Sequence, residues 1–426
     1  MSELQDFSVF DRRESSVRGY CRRFRAVFAT ATGSAMRDVD GREYIDFLAG
    51  CASLNYGHND PQMSTALIEY IQINGVTQGL DLHTGAKRAF LEAFERLILQ
   101  PRGMDHRVQF TGPTGANAIE AAMKLARKAT SRTNIIAFTN GYHGVTLGAL
   151  AATGNQYNRM GVSLPGVTRA PFDRYFGSDF DSAAALDRML GDPSSGIDPP
   201  AAVLLETVQG EGGLNAASPE WVRSVAAIAQ RHGALLIIDD VQAGCGRTGT
   251  FFSFEEMGVT PDLIVMSKSI SGYGLPMAIV LVRPAHDVWR PAEHNGTFRG
   301  NNHAFVTARI ALEKFWSDQA FADQIAIKSD IVTARLKALA RRIPGSRLKG
   351  RGMMQGLALP SGDLAAEICR RCFERGLIIE TSGAHDEVLK ILAPLTTPIT
   401  VLERGLEILQ SAAADALEDA LVPALT

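Results

Sequence analysis

The sequence predicts an α/β fold: a mostly parallel central sheet with helices on both faces, and a smaller α+β region attached to it. Three observations carry that prediction. Between about residues 62 and 310, short apolar runs alternate with amphipathic helical stretches. No internal repeat, low-complexity tract or long linker interrupts them. Beyond residue 310 the pattern changes to a long helix, a strand-like segment, a second helix and a further strand.

Taken in order, the chain opens with GSAMRDVDGREYIDFLAG, whose alternation around Asp40-Gly41 predicts a small antiparallel element with a tight hairpin turn. Helices follow at QMSTALIEYIQ, AKRAFLEAFERLIL and NAIEAAMKLARKA. Strands are expected at NIIAF, AAVLLET, ALLIIDD, DLIVMS and AIVLV. After NNHAFVTARIALEKFW come MMQGLALP and LIIET as strands, separated by a helix. The expected division is an N-terminal segment of a small domain over 1–61, a large domain over 62–310, and the C-terminal remainder of the small domain over 311–426.

At 426 residues, 46% hydrophobic and 21% charged, the chain can bury a large core. A formal charge of -3 offers no electrostatic reason to expect nucleic acid as a partner. No apolar stretch has the roughly 18 to 20 residues of a membrane span, and the opening residues lack the apolar core of a secretory signal, so a cytoplasmic location without membrane partners is expected. The five cysteines are odd in number and scattered, which points to reduced thiols. Cys369 and Cys372 form the only C-x-x-C, inside the helix-like EICRRCFERG, and read as structural; no metal site is expected.

Open parallel sheets bind ligands beyond the carboxyl ends of their strands. Four strand ends here carry unusual chemistry: AVLLET runs into VQGEGG, ALLIID into DVQAGCGRTG, IIAF into TNGYHG, and LIVMS into Lys268. Lys268 is one of nine lysines, and the glycines of SISGYG after it permit close approach of a ligand. An amine that attacks a carbonyl must be uncharged, a form that a desolvated strand end favours. A solvent-pointing lysine is the alternative. Asp239 shifts that balance, because a carboxylate closing the run LLII needs a cationic partner. A protonated pyridine nitrogen is one, since pyridoxal phosphate enzymes pair a lysine Schiff base with an acidic group at the ring nitrogen. The turn into the helix of TGPTGANAIEAAMKLAR offers unpaired N–H groups to a phosphate.

With TGPTGANAIEAAMKLAR, NGYHG, ETVQGEGG, DDVQAGCGRTG, SKSISGYG and NGTFRGNN in that order, the chain resembles the class III (omega) aminotransferases, fold type I enzymes dependent on pyridoxal phosphate. The resemblance runs from about Gly33 to Leu409. It implies that Lys268 forms the Schiff base and later shuttles a proton, and that Asp239 keeps the pyridine nitrogen protonated. Gln242 is implied near the phenolic oxygen, Tyr142 on the ring face with His143 beside it, and Gly115 and Ala116 at the phosphate. Thr297 would reach the phosphate of the neighbouring subunit's cofactor, which implies a homodimer with shared active sites and leaves a dimer of dimers open. Glu211 and Lys390 would form the switch that lets one pocket accept an amine or a dicarboxylate. The implied activity is transfer of the terminal amino group of L-2,4-diaminobutyrate or a similar ω-amine to a keto acid such as 2-oxoglutarate.

Several positions depart from the family pattern. Lys390 stands where many relatives have arginine, a point charge in place of a bidentate fork. Val145 stands where enzymes acting on ornithine have an arginine, which makes ornithine a poorer donor. TGPTGAN replaces PGPTGTN, so Ala116 lacks a hydroxyl that could touch phosphate. GCASLNYGH replaces the more usual GAGxLNYGH, and TTPITVLERG lacks acidic residues often found there. These departures keep open an alternative on the same scaffold, γ-elimination, γ-replacement or carbon–carbon bond formation on an α-amino acid. A noncatalytic relative is disfavoured, since a pure binder needs neither Lys268 nor Asp239.

Overall fold

The computed structural model describes residues 5–421. Its centre is a seven-stranded sheet of β1 (Arg107–Phe110), β2 (Asn134–Phe138), β3 (Val167–Ala170), β4 (Pro200–Leu205), β5 (Leu235–Asp239), β6 (Leu263–Met266) and β7 (Ile279–Val282). The spatial order is β1-β7-β6-β5-β4-β2-β3. The pairs β2/β3, β2/β4, β4/β5 and β5/β6 are parallel. Only β7 runs against its neighbours, β6 and β1. The five expected strands of this region all form. The two edge strands, β1 (RVQF) and β3 (VTRA), had no apolar run to mark them, because an edge strand is covered less completely.

Alternate residues of the central strands enter two separate cores. Ile136, Val203, Ile238 and Ile264 pack on one face, while Ile135, Leu204, Ile237 and Val265 pack on the other. That two-sided burial explains why these strands read as continuous apolar runs. The helix Gly115–Thr130 buries Ala118, Ile119, Ala122, Leu125 and Ala126 against the second face. Asp239 shares the parity of Leu235 and Ile237, so its carboxylate emerges on the face where that helix begins.

Around this sheet lie two smaller ones. Phe28–Thr32, Ala35–Asp38 and Glu43–Asp46 form an antiparallel meander, and Leu377–Ile378 from the far end of the chain adds to it in parallel. The expected hairpin therefore forms, but its turn is wider than two residues. The Asp38 carboxylate accepts from the N–H groups of Asp40 and Arg42, and Gly41 takes the left-handed conformation at φ 85°. The second small sheet has the order 347–351, 354–358, 388–391, 380–382. LIIET, expected as one strand, is divided: Leu377–Ile378 belongs to the first small sheet and Glu380–Ser382 to the second. Both halves are buried, each against a different layer, and nothing local in the sequence marks the break. Among the described residues, no helix is long and apolar enough to cross a membrane.

Candidate active site

Because β6, β5, β4 and β2 are consecutive neighbours, their carboxyl ends lie side by side. The four strand ends picked out by their chemistry thus meet in one place. A cavity of about 240 Å³ opens there, lined by Gly115, Ala116, Tyr142, His143, Glu211, Asp239, Gln242 and Lys268, together with Gly144, Val145, Glu206 and Val241. Of the residues singled out in the sequence, only Lys390 and Thr297 are not on its wall. Lys390 sits behind Glu211, and Thr297 is exposed in the turn that precedes the helix Asn302–Phe315.

Lys268 begins a single turn of 3-10 helix and is held at φ 55°, a left-handed conformation uncommon for a residue with a β-carbon. Ser269 next to it donates its hydroxyl to the carbonyl of Ala52 at 2.7 Å and accepts from the N–H of Asn55 at 3.0 Å. Those bonds tie the lysine turn to GCASLNYGH. A rare left-handed run enters that stretch, with φ 46° at Ala49 just before it and 55° at Gly50, 55° at Cys51 and 66° at Ala52 within it. Each non-glycine residue so placed costs about 1–2 kcal/mol, which the surrounding bonds must offset. The cysteine and alanine that depart from the family pattern therefore occupy strained positions that glycine would take more easily.

Asp239 is buried and its two oxygens are differently engaged. Oδ2 lies 2.7 Å from His143 Nδ1, and Oδ1 accepts from the N–H of Val241 at 3.1 Å. Burial alone would lower the His143 pKa, but the Asp239 hydrogen bond and charge outweigh it and the net shift is upward. Glu206 at the end of β4 was missed in the sequence, although AVLLET displays the same signal as Asp239, an acid closing an apolar run. It accepts from the N–H of Tyr142 at 2.9 Å and of Gly210 at 3.0 Å, so one carboxylate ties the loop carrying Tyr142 to the loop carrying Glu211. Burial pushes it up to about 7, against the pull of His143 and with the Asp239 charge adding to the rise.

Glu211 and Lys390 are paired at 2.8 Å. A second acid, Glu380, lies equally close to Lys390 at 2.8 Å. It too was missed, since LIIET read as an ordinary strand. Lys390 is fully buried, and although burial works against its charge, Glu211 and Glu380 raise its pKa. Burial likewise works against the Glu211 carboxylate, but Lys390 and Lys268 draw it down to about 2. Gln242 reaches Glu211 Oε1 with its Nε2 at 3.2 Å.

The site's fit to pyridoxal phosphate can be judged on these atoms. Gln242 Oε1 and His143 Nε2 are buried without a hydrogen-bond partner, so polar capacity is left unspent at the cavity. The helix Gly115–Thr130 starts at its rim with Thr114 as N-cap, and a first helical turn presents N–H groups without intrahelical partners to a phosphate. A β-carbon at Gly115 would sit 3.0 Å from Val241, so the glycine permits this close packing. An amine, a buried acid and a phosphate-binding helix start converge on one cavity, which suits the cofactor. Among the described residues no cluster could hold a metal ion, and the C-x-x-C thiols, pushed up by burial, belong to a packed helix.

Fold and site together define a fold type I, pyridoxal phosphate-dependent transferase. The class-III aminotransferase family matches residues 19–413. A diaminobutyrate–2-oxoglutarate transaminase of Vibrio cholerae serotype O1 is 55% identical over 406 residues, 94% of this chain and 98% of that protein. One of Bordetella parapertussis is 53% identical over 419 residues, 97% of this chain and 96% of that one. An ornithine aminotransferase structure from Toxoplasma gondii, described with partial occupancy of PLP at its active site, superposes with a TM-score of 0.83 at 26% identity, covering 98% of this chain and 96% of that chain. The chain belongs to the class-III aminotransferases. It is a pyridoxal phosphate-dependent enzyme that moves amino groups between amino acids and keto acids.

Proposed function

We propose that the enzyme transfers the terminal amino group of L-2,4-diaminobutyrate to 2-oxoglutarate, giving aspartate 4-semialdehyde and glutamate, and that it can run in reverse. The observation that carries this reading is the pairing of Lys390 with Glu211 on the wall of the Lys268 cavity, which suits a charge switch between an amine in one half-reaction and a carboxylate in the other. It is supported by the similarity over nearly the whole chain to enzymes named for this reaction. The whole-chain similarity to transaminases leaves γ-elimination and carbon–carbon bond formation without a specific observation in their favour.

When bound, pyridoxal phosphate supplies the carbonyl that captures the amine and the ring that accepts its electrons. The protein's own groups do the rest. Lys268 would hold the cofactor through its amine and, when free, would move a proton at the substrate carbon. Asp239, backed by His143 at 2.7 Å, would stabilise a protonated ring nitrogen. Tyr142 and Gln242 would hold the ring, and Gly115 and Ala116 the phosphate. Thr297, exposed in its own subunit, serves a partner's phosphate in a cytoplasmic homodimer. The same reading joins 1–61 and 311–426 into one small domain around 62–310, supported by the pairing of Leu377–Ile378 with Ile45–Asp46.

Two half-reactions test the proposal. Diaminobutyrate alone should convert the loaded enzyme to its pyridoxamine form, and 2-oxoglutarate should restore the absorbance while releasing glutamate, with ping-pong kinetics. If no ω-amine, diaminobutyrate included, yields the pyridoxamine form, the proposed reaction is wrong.

A further inference from the structure

Lys390 meets two carboxylates with one charge. Its ammonium is 2.8 Å from Glu211 and 2.8 Å from Glu380, and among the described residues no other cation forms an ion pair with either acid. The two acids differ in position. Glu380 is buried behind Lys390, with 3% of its side chain exposed, whereas 33% of Glu211 remains exposed on the cavity wall. Glu380 also lines a second cavity with Arg22, Arg23, Arg370 and Asp386, but among the described residues none of these arginines lies within ion-pair distance of it. Burial raises the Glu380 pKa, against the pull of Lys390 and with the Glu211 charge adding to the rise. Cys51 Sγ lies 3.9 Å from both Glu380 oxygens, and the Tyr20 hydroxyl lies 2.7 Å from Cys51. Burial pushes the Cys51 thiol up to about 11 and raises the Tyr20 phenol and the Cys369 thiol as well.

We infer that Glu380 is a specificity-determining positioning residue: by engaging Lys390 from the buried side it leaves Glu211 incompletely neutralised at the cavity wall, and so favours donors that retain a second ammonium over donors that have none. The inference rests on the functional reading above, in which Glu211 faces the donor. L-2,4-Diaminobutyrate keeps its α-ammonium while its γ-amine engages the cofactor. 4-Aminobutyrate has the same chain and carboxylate without that group. The surplus comes from the second acid and not from the choice of cation, since lysine and arginine each bring a single positive charge.

The comparison is made between these two amines. Their dissociation constants are measured by calorimetry on borohydride-reduced holoenzyme, in which the cofactor stays fixed to Lys268 and neither amine can react, and by spectral titration of the aldehyde-loaded form. The wild type should bind diaminobutyrate more tightly. Glu380→Gln, which keeps shape and removes charge, should cut the preference roughly tenfold, and Glu380→Asp should restore most of it. An unchanged preference in folded Glu380→Gln overturns the inference, as does a loss that Glu380→Asp leaves unrepaired. Should Glu380→Gln not fold, Glu211→Gln must lower the same ratio, and no change there is equally fatal. If diaminobutyrate leaves the wild-type cofactor unconverted yet the calorimetric preference still falls in Glu380→Gln, the proposed reaction fails and the role of Glu380 stands.

Discussion

Lys268 is held at φ 55° on the wall of a cavity that Asp239 and Glu211 also line. A strained backbone at one position persists only where neighbours over-determine it, and here the bonds from Ser269 to Ala52 and Asn55 do so. The side chain is free of that job, so Lys268→Ala should fold normally. Turnover should fall by at least about a hundredfold from loss of the proton carrier alone. Borohydride reduction of the loaded wild type, followed by peptide mapping, should place the label on Lys268; label on another lysine would remove its assigned role.

At the scale of elements, the carboxyl ends of β4 and β5 gather acids that the fold buries. Burial raises Glu206 to about 7 and Asp240 to about 7, the latter against its bonds to Ser253 and with the Asp239 charge adding to the rise. In the unfolded chain both return to ordinary carboxylate values near 4. Between roughly pH 4 and 7 the native state therefore binds more protons than the unfolded state, so stability falls as pH rises through that window. The upward shift of His143 works in the same direction. Scanning calorimetry of the apoprotein should show a lower Tm at pH 8 than at pH 6, with a smaller difference in Asp240→Asn. A Tm that climbs over this interval would show that other groups dominate.

On the scale of the whole molecule, Arg247 joins all three parts of the chain without an exposed atom. Its guanidinium donates to Asn55 Oδ1 near the N-terminus and to the carbonyls of Met353 and Ala393 in the C-terminal region, while its backbone belongs to the loop after β5. Burial lowers its pKa to about 9, with Asp46 opposing the shift. Arg247→Met should fill much of the space and strand those acceptors, a loss of about 3 kcal/mol or more. Urea unfolding should show the midpoint shift, and a midpoint within error of wild type would mean that the acceptors find other partners.

The central strands, the helix at the phosphate end and the pairing of an amine with an acid were legible in the sequence, because each is a local pattern: an apolar run closed by Lys268 or Asp239, or a glycine turn opening an amphipathic helix. Glu206 was legible by the same rule and was passed over in favour of Glu211. The edge strands Arg107–Phe110 and Val167–Ala170 were not, since partial cover leaves no apolar signature. Nor was the left-handed run at Ala49–Ala52, where alanine and cysteine hide a conformation that glycine would announce. Sequence by itself determined the class of chemistry, since the required residue types stand at strand ends and only a parallel sheet brings strand ends together. Tertiary structure alone decided that LIIET divides between two sheets and that Glu380 shares Lys390 with Glu211. Those contacts join residues 169 positions apart in the chain, Glu211 and Glu380, through a lysine whose partners are set by packing and charge balance rather than by any neighbour in sequence.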